Sequence, residues 1–347
     1  MDNSIQKGTT IYDIAEKTGL SAATVSRVLN GKDNISEKTR NKVMAAAKEL
    51  HYVTNTFARS LKTKKTEQII ISIPDQSNPF YFDMIDQIHK QAKLNGYSVL
   101  LNLTESNEKE ELKILKKMKN NLADALIMVT VNITDELVKE AKNSDHPVVL
   151  SGICLNTRDM SEVTYDYVGV DTYRGVYIAA QHLIENGHKN IGYIGLSVDS
   201  QPGHQRYQGF CDALNHAGLR IEHNHVVLGG ITEEFGYLAA KQLLQAGSHP
   251  SALCTSSDII ALGVYRALKE DKVKVPDEIS IVSMDNTEIC AHIYPSLSSV
   301  AVYEGEIGRT AAEIIFRRLK GFDGEFQNIV FQPKLIIRES SDQKKQQ

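Results

Sequence analysis

The first fifty residues carry three short apolar patterns, each with the 3.6-residue period of a helix. In the first, Ile11, Ile14 and Ala15 follow one another at i, i+3 and i+4. Thr10 stands where a capping hydroxyl is needed, and Asp13 lies three residues on. Gly19 ends this pattern in a tight turn. Ser21 opens a second one with Val25, Val28 and Leu29, closed by Asn30-Gly31. Ser36 opens a third, with Val43, Ala46, Ala47 and Leu50 expected inward. Helices this short must share one small core, and the turn between the first two has the length of a helix-turn-helix.

From Gln68 onward the period changes. Short β-rich runs at 69–74, 97–102, 123–129, 147–152, 190–196, 251–256 and 279–284 alternate with helical stretches. That rhythm predicts doubly wound parallel sheets. The stretch is too long for one comfortable core, so two lobes are expected, with a ligand at the carboxyl ends of the strands in the cleft between them. The boundaries that follow are a headpiece over 1–53, a linker over 54–66, a two-lobed body over 67–340 and a polar tail over 341–347.

Composition narrows the class. With 41% hydrophobic and 24% charged residues the chain has ordinary globular make-up. No apolar run approaches the roughly 18 residues of a spanning helix, and the start MDNSIQKGTT lacks the apolar stretch of a signal peptide, so a cytoplasmic location without membrane contact is expected. Cys154, Cys211, Cys254 and Cys290 lie far apart, without a Cys-x-x-Cys or zinc-ligand spacing; no metal and no cofactor is expected, and reduced, buried thiols are.

The net charge of −4 is unevenly shared. Residues 1–64 hold eleven Lys/Arg against six Asp/Glu, a surplus of +5, while the remainder carries −9. A phosphate-attracting end is thereby joined to a body that repels nucleic acid. The outer face of the second helix supplies matching chemistry. Arg27 can fork onto guanine O6 and N7 in a major groove, and Ser21, Thr24, Ser26 and Asn30 ring it with short polar groups suited to phosphate oxygens. Taken singly, the same residues also read as a surface arginine and capping hydroxyls.

The string TIYDIAEKTGLSAATVSRVLNG, followed by IS..TR.KV, EL.Y and N..ARSL, resembles the lactose repressor/galactose repressor (LacI/GalR) family almost position by position across the headpiece. By that resemblance Ala22 and Ala23 occupy the positions that choose the operator sequence, Arg27 is the guanine reader, and Tyr12 and Tyr52 contact phosphate, with Thr10 at the same surface. Two alanines offer only methyl contacts, so hydrogen-bonded readout falls largely on Arg27. The segment NTFARSLK contributes Asn55, Ala58, Leu61 and Lys62. The resemblance implies that two copies of it fold into hinge helices over the operator centre, Leu61 wedging into the minor groove with Lys62 beside it. Thr54 replaces the family's usual proline, which leaves that hinge less pre-organised. For Leu61, plain interdomain packing is the other reading.

The body resembles the periplasmic sugar-binding-protein fold that members of the family carry. SNPFY, GHKNIGYIG, the arginine of RYQGF, SSDIIALG and MDNTE match its landmarks. The implied cleft residues are Phe80 and Tyr81 as an aromatic wall, Arg206 and Asp285 as forks for hydroxyls, and Ser257 and Asp258 at its border. Each has a second reading: the aromatics as core, Asp258 as a helix cap, Arg206 as half of an ion pair. Gly152 stands where the family often has Asp, and Val302-Tyr303 where it has Gln-Pro. Glu304 adds an unusual cleft-side carboxylate. These departures point to a polar, polyhydroxylated or amine-bearing effector. The catabolite-control branch of the family is also similar, yet Glu313 replaces the basic residue that branch uses for its phosphoprotein partner.

The expected function is a sequence-specific DNA-binding transcription regulator of repressor type, binding a pseudo-palindromic operator as a homodimer under control of a small effector, a sugar or sugar derivative. The rival readings are a cytoplasmic sugar-binding protein and an enzyme on a doubly wound fold. The chain has no Gly-x-Gly-x-x-Gly, P-loop, Gly-x-Ser-x-Gly or His-Glu-x-x-His motif to support an enzyme.

Overall fold

The structure, a computed structural model, describes residues 9–29, 31, 35–52, 65–153, 163–245 and 249–342. The chain divides at Thr66/Glu67 into two compact units.

In the first unit, Thr10 opens helix α1 (Ile11–Thr18) through a reciprocal capping box. Its hydroxyl accepts the Asp13 N–H, and the Asp13 carboxylate accepts the Thr10 N–H at 2.7 Å. Gly19, at φ 64°, supplies the left-handed residue that turns the chain. Ser21 then opens α2 (Ala22–Leu29), its Oγ accepting the Thr24 N–H at 3.1 Å. Ser36 caps α3 (Glu37–Glu49) in the same way. Ile14, Val25, Val28, Val43, Ala46 and Ala47 form the shared core. Leu50, expected inside, is only half-buried: it is the C-cap of α3 and packs on the core from its rim.

The second unit holds two six-stranded sheets. The first lobe contains β1 (Gln68–Ile73), β2 (Ser98–Leu103), β3 (Ala125–Thr130), β4 (Val148–Ile153), β5 (Asp166–Val170) and β11 (Asn328–Phe331), in the order β11-β5-β4-β3-β1-β2. The second contains β6 (Ile191–Leu196), β7 (Val226–Gly229), β8 (Ala252–Thr255), β9 (Ser280–Asp285), β10 (Ser298–Ala301) and β12 (Lys334–Ile336), in the order β12-β10-β9-β8-β6-β7. Central strands are covered on both faces, which is why they read as unbroken apolar runs. Ile69, Ile71 and Ile73 belong to a core with Met84 and Ile88 of α4 (Phe80–Leu94) and with Ile307, Ala311 and Ile315 of α12 (Glu304–Leu319). Ile70 joins Leu112, Leu115 and Met118 of α5 (Glu108–Met118) and Leu137 of α6 (Asp135–Lys142).

The second lobe repeats the plan. Val282 and Met284 share a core with Val176, Ala179 and Leu183 of α7 (Thr172–Glu185) and Phe210 and Leu214 of α8 (Gln201–His216). Ile281 packs among Ala240 and Leu243 of α9 (Glu233–Gln245) and Ile260 and Val264 of α10 (Asp258–Glu270). A short α11 (Ile289–His292) precedes β10. The chain crosses between lobes three times: after β5, between β10 and α12, and between β11 and β12.

Two expectations need correction. The sheets are not wholly parallel: β12 runs antiparallel to β10, because the chain re-enters the second sheet at its edge after the last crossing. Five strands, β5, β7, β10, β11 and β12, were not legible as β runs. β10 shows why: Ser298 and Ser299 are fully buried, their hydroxyls bonded to the Arg338 carbonyl and the Asp258 carboxylate, so an interior strand carries a polar sequence.

A buried histidine ties this lobe together. His188 lies between the hydroxyls of Ser251 and Ser280, each 3.0 Å from a ring nitrogen. Burial holds its pKa below the usual 6.5, with a smaller push from His182. The unfolded ring therefore takes up a proton before the folded one, and this contribution to stability is lost as pH falls below about 6.5. Melting curves should show the advantage of the wild type over His188→Gln shrinking between pH 7 and pH 5 and staying constant above pH 7; a constant difference throughout would contradict the neutral buried ring.

Candidate nucleic-acid interface and ligand cleft

On the headpiece, Val25 and Val28 turn inward, which leaves Ala23 and Arg27, four residues apart, on the opposite, exposed side of α2. Among the described residues Arg27 has no ion-pair partner, and it is exposed. Ser21 and Thr10 are exposed, while Ala22, Thr24 and Ser26 are half-buried. The hydroxyls of Ser21 and Thr24 bond each other at 2.8 Å at the start of the helix. Tyr12 leaves 75% of its surface in solvent, a large exposure for an aromatic ring on a helix. Tyr52 is half-buried, its N–H closing the end of α3 onto the Ala47 carbonyl. Asn30, Asn55, Ala58, Leu61 and Lys62 lie outside the described residues.

In the body, a cavity of about 70 Å³ lies between the lobes. Phe80, Tyr81, Arg206 and Asp285 line it, as the sequence suggested, and they come from both lobes. Asn78 sets the aromatic pair in place: its Oδ1 accepts the Phe80 N–H at 3.0 Å, and the two rings meet edge to face at 5.1 Å. Arg206, 7% exposed on α8, donates through Nη1 to the Ser256 carbonyl at 2.6 Å. Its Nη2 stands 3.9 Å from Asp285 Oδ1. Both Arg206 Nε and Asp285 Oδ1 are buried without a hydrogen-bond partner. Burial pushes the Asp285 carboxyl well above the usual range, against the pull of Arg206 and with the push of Asp258 and Glu304. Burial likewise raises the Tyr81 phenol.

Asp285 and Asn286 both have positive φ, 114° and 58°. That strained end of β9 must be held from outside. Asp258 holds it: one carboxylate oxygen accepts the Thr287 N–H and hydroxyl at 2.7 and 2.9 Å, and the other accepts Ser299 Oγ at 2.7 Å. Arg338 fixes the Asn286 side chain at 2.8 Å. Asp258 is thus not a wall of the cavity, because both its oxygens are taken by the loop that presents Asp285. Ser257 and Glu304 also stand outside the wall. Ser257 opens α10 with its hydroxyl buried, and Glu304 begins α12 at a lobe crossing, where burial pushes its pKa up to about 7.

Several cavity residues escaped the sequence reading, notably Asn78, Thr130 and Thr172. Thr130 ends β3 and Thr172 follows β5, so the rule that sheets bind ligands at strand carboxyl ends contained the signal. Gly152 also lines the cavity, at φ 136°; a Cβ there would lie 2.6 Å from the Thr130 carbonyl, so this backbone conformation disfavours any side chain at that position. At the mouth, Asn132 and Gln201 join the lobes. Asn132 Oδ1 accepts the Gln201 N–H at 3.0 Å, and Gln201 Oε1 accepts the Ile133 N–H at 3.2 Å.

Residues 10–55 match the model for bacterial regulatory proteins of the lacI family, and residues 180–341 match a periplasmic binding protein-like domain. The catabolite control protein A of Priestia megaterium is 34% identical over 307 residues, which covers 88% of this chain and 91% of that protein. The chain belongs to the LacI family. Among solved structures, the LacI-family fold recurs in the transcriptional regulator CelR bound to cellobiose, at 27% identity and TM-score 0.70 over 96% of this chain and 99% of that one. It recurs as well in the Lac repressor dimer bound to operator, at TM-score 0.84 and 23% identity, covering 96% and 99%. This chain is therefore a LacI-family DNA-binding transcription regulator with a periplasmic-binding-protein-like effector domain. None of its described helices is long and apolar enough to cross a membrane. Glu313 accepts a hydrogen bond from Arg309 at 2.7 Å.

Proposed function

We propose that this regulator represses transcription from the cytoplasm by binding a pseudo-palindromic operator as a homodimer, with the cleft ligand setting its affinity. The carrying observation is the exposed Arg27 on a helix whose other side is committed to the headpiece core. Each α2 enters a major groove, Arg27 reads a guanine, and Ala22 and Ala23 give methyl contacts. Ser21, Thr24, Ser26, Thr10, Tyr12 and Tyr52 serve the phosphates, and the segment with Asn55, Ala58, Leu61 and Lys62 completes the contact.

The dimer is proposed to form along the edge of the first lobe. Leu94 ends α4, and Leu100, Leu101 and Leu103 lie on the edge strand β2; all four are exposed. An open apolar edge of this kind invites a second chain unless it is covered. The effector is proposed to be a small molecule of the sugar or sugar-derivative class, bound by Arg206, Asp285, Phe80 and Tyr81. The cavity is small against the roughly 300–1,000 Å³ of a usual ligand site. A ligand of that class must therefore part the lobes and break the Asn132–Gln201 contacts, which couples binding to the inter-lobe angle. A coupling of about 1.4 kcal/mol suffices for a tenfold change in operator affinity.

Selection of random duplexes by the full-length protein tests this reading. The enriched sequences should be two-fold symmetric, and some small molecule in a metabolite panel should raise the melting temperature and change operator affinity together. Enrichment of no sequence over competitor would overturn it.

A further inference from the structure

We propose that the cleft is built for a compact amine, whose ammonium group is held by Asp285 against the Phe80–Tyr81 ring pair. This rests on the reading that the cleft is the effector site and adds the charge of the effector.

The charges around the cavity are unequal. Among the described residues Arg206 is the one cation in its lining, and its Nη1 is already bonded to the Ser256 carbonyl. Asp285 lines the cavity at 3% exposure, with Oδ1 lacking a hydrogen-bond donor and Arg206 Nη2 standing off at 3.9 Å. An ion pair at that distance is not closed by a hydrogen bond, and a buried carboxylate oxygen left without a donor is costly. Two further carboxyl groups stand close behind: Asp258, whose oxygens are taken by Thr287 and Ser299, and the buried Glu304, which faces Asp83 and Asp258. A phosphate or carboxylate entering here meets the Asp285 carboxyl in the lining, with Asp258 and Glu304 behind it, beside an Arg206 whose Nη1 is taken. An ammonium group supplies the donor that Asp285 Oδ1 lacks, and its positive charge favours the ionised carboxyl that burial alone disfavours.

The rest of the wall is mixed. Val129, Val131, Leu196, Ile231 and Val302 give an apolar flank, and Asn78, Thr130 and Thr172 leave polar side chains for a few hydroxyls. The rings of Phe80 and Tyr81 offer the faces on which organic cations rest. Arg206 Nε remains for one acceptor on the ligand, such as a hydroxyl or a carbonyl. The ligand described is thus a small amine with one neighbouring acceptor and an apolar flank, a description that includes amino sugars.

Matched ligand sets test this on the full-length protein by calorimetry and thermal shift: glucosamine, glucose and glucuronate, and 2-aminocyclohexanol, cyclohexanediol and 2-hydroxycyclohexanecarboxylate. The amine of at least one set should bind on the order of tenfold more tightly than its neutral partner, and neither carboxylate should bind. Asp285→Asn, which keeps the shape and tolerates positive φ, should remove the preference. A neutral or carboxylate member that binds as tightly as its amine, a preference that survives Asp285→Asn, or no binding by any of the six overturns the amine assignment. The two readings fail separately. If a neutral ligand binds the cleft and shifts operator affinity, only the amine is wrong; if a ligand fills the cleft and operator affinity stays fixed, the effector reading itself is wrong.

Discussion

Leu101→Asp is expected to leave the fold intact and the protein monomeric, with operator affinity lower by a factor on the order of 10²–10⁴. Leu101 is 48% exposed on an edge strand, so the charge costs the isolated chain little. In the proposed dimer the same position faces its partner, where an unpaired carboxylate must be desolvated. Two headpieces held together bind two half-sites with the second event intramolecular, and a monomer loses that advantage. Light scattering and an operator titration at matched salt read both effects. A variant that remains dimeric would place the interface elsewhere.

The second large effect is on stability. Arg318 reaches from α12 to β5 and grips Asp166 with two parallel bonds, Nε to Oδ2 and Nη2 to Oδ1, both 2.8 Å. The Gln327 N–H completes the carboxylate at 2.9 Å. Asp166 is buried, and its removal takes the carboxylate from two Arg318 nitrogens and leaves the Gln327 N–H without an acceptor, while Arg318 keeps only the carbonyls of Phe322, Gly324 and Glu325. Asp166→Ala should therefore cost about 3–5 kcal/mol of unfolding free energy. Denaturant titration measures this, and a loss below about 1 kcal/mol, the range of an exposed pair, would contradict the burial argument.

The headpiece was legible almost residue by residue because its signals are local. Thr10 with Asp13, Gly19, Ser21 and Ser36 punctuate helices within three or four residues, and each cap performs as its spacing implies. Leu50 was misjudged because apolar periodicity does not see where a helix stops. In the body, strands covered on both faces, such as 69–74, declared themselves. β10 did not, because its buried serines answer to Asp258 and Arg338, partners 40 or more residues away in sequence. The cleft shows the same division. Residue type and motif found Phe80, Tyr81, Arg206 and Asp285, which meet only through the packing of two lobes. Ser257, Asp258 and Glu304 stand behind the lining of the cavity, and sequence cannot tell a carboxylate that faces a ligand from one that braces the loop beneath it. Asn132 and Gln201 left no trace at all, as each is ordinary alone and acquires meaning only across the cleft.

The role of Arg27 is the claim on which the rest depends, and it has a direct measurement. Operator affinities of the wild type and Arg27→Ala are compared on a set of duplexes in which every base pair of one half-site is replaced by each alternative. The variant should lose about 1–3 kcal/mol on the preferred duplex and become indifferent to the identity of one guanine-bearing pair, while discrimination elsewhere stays as it was. If Arg27→Ala weakens all duplexes equally and keeps its full pattern of preference, the guanidinium meets only phosphate, and α2 is not the element that reads the sequence.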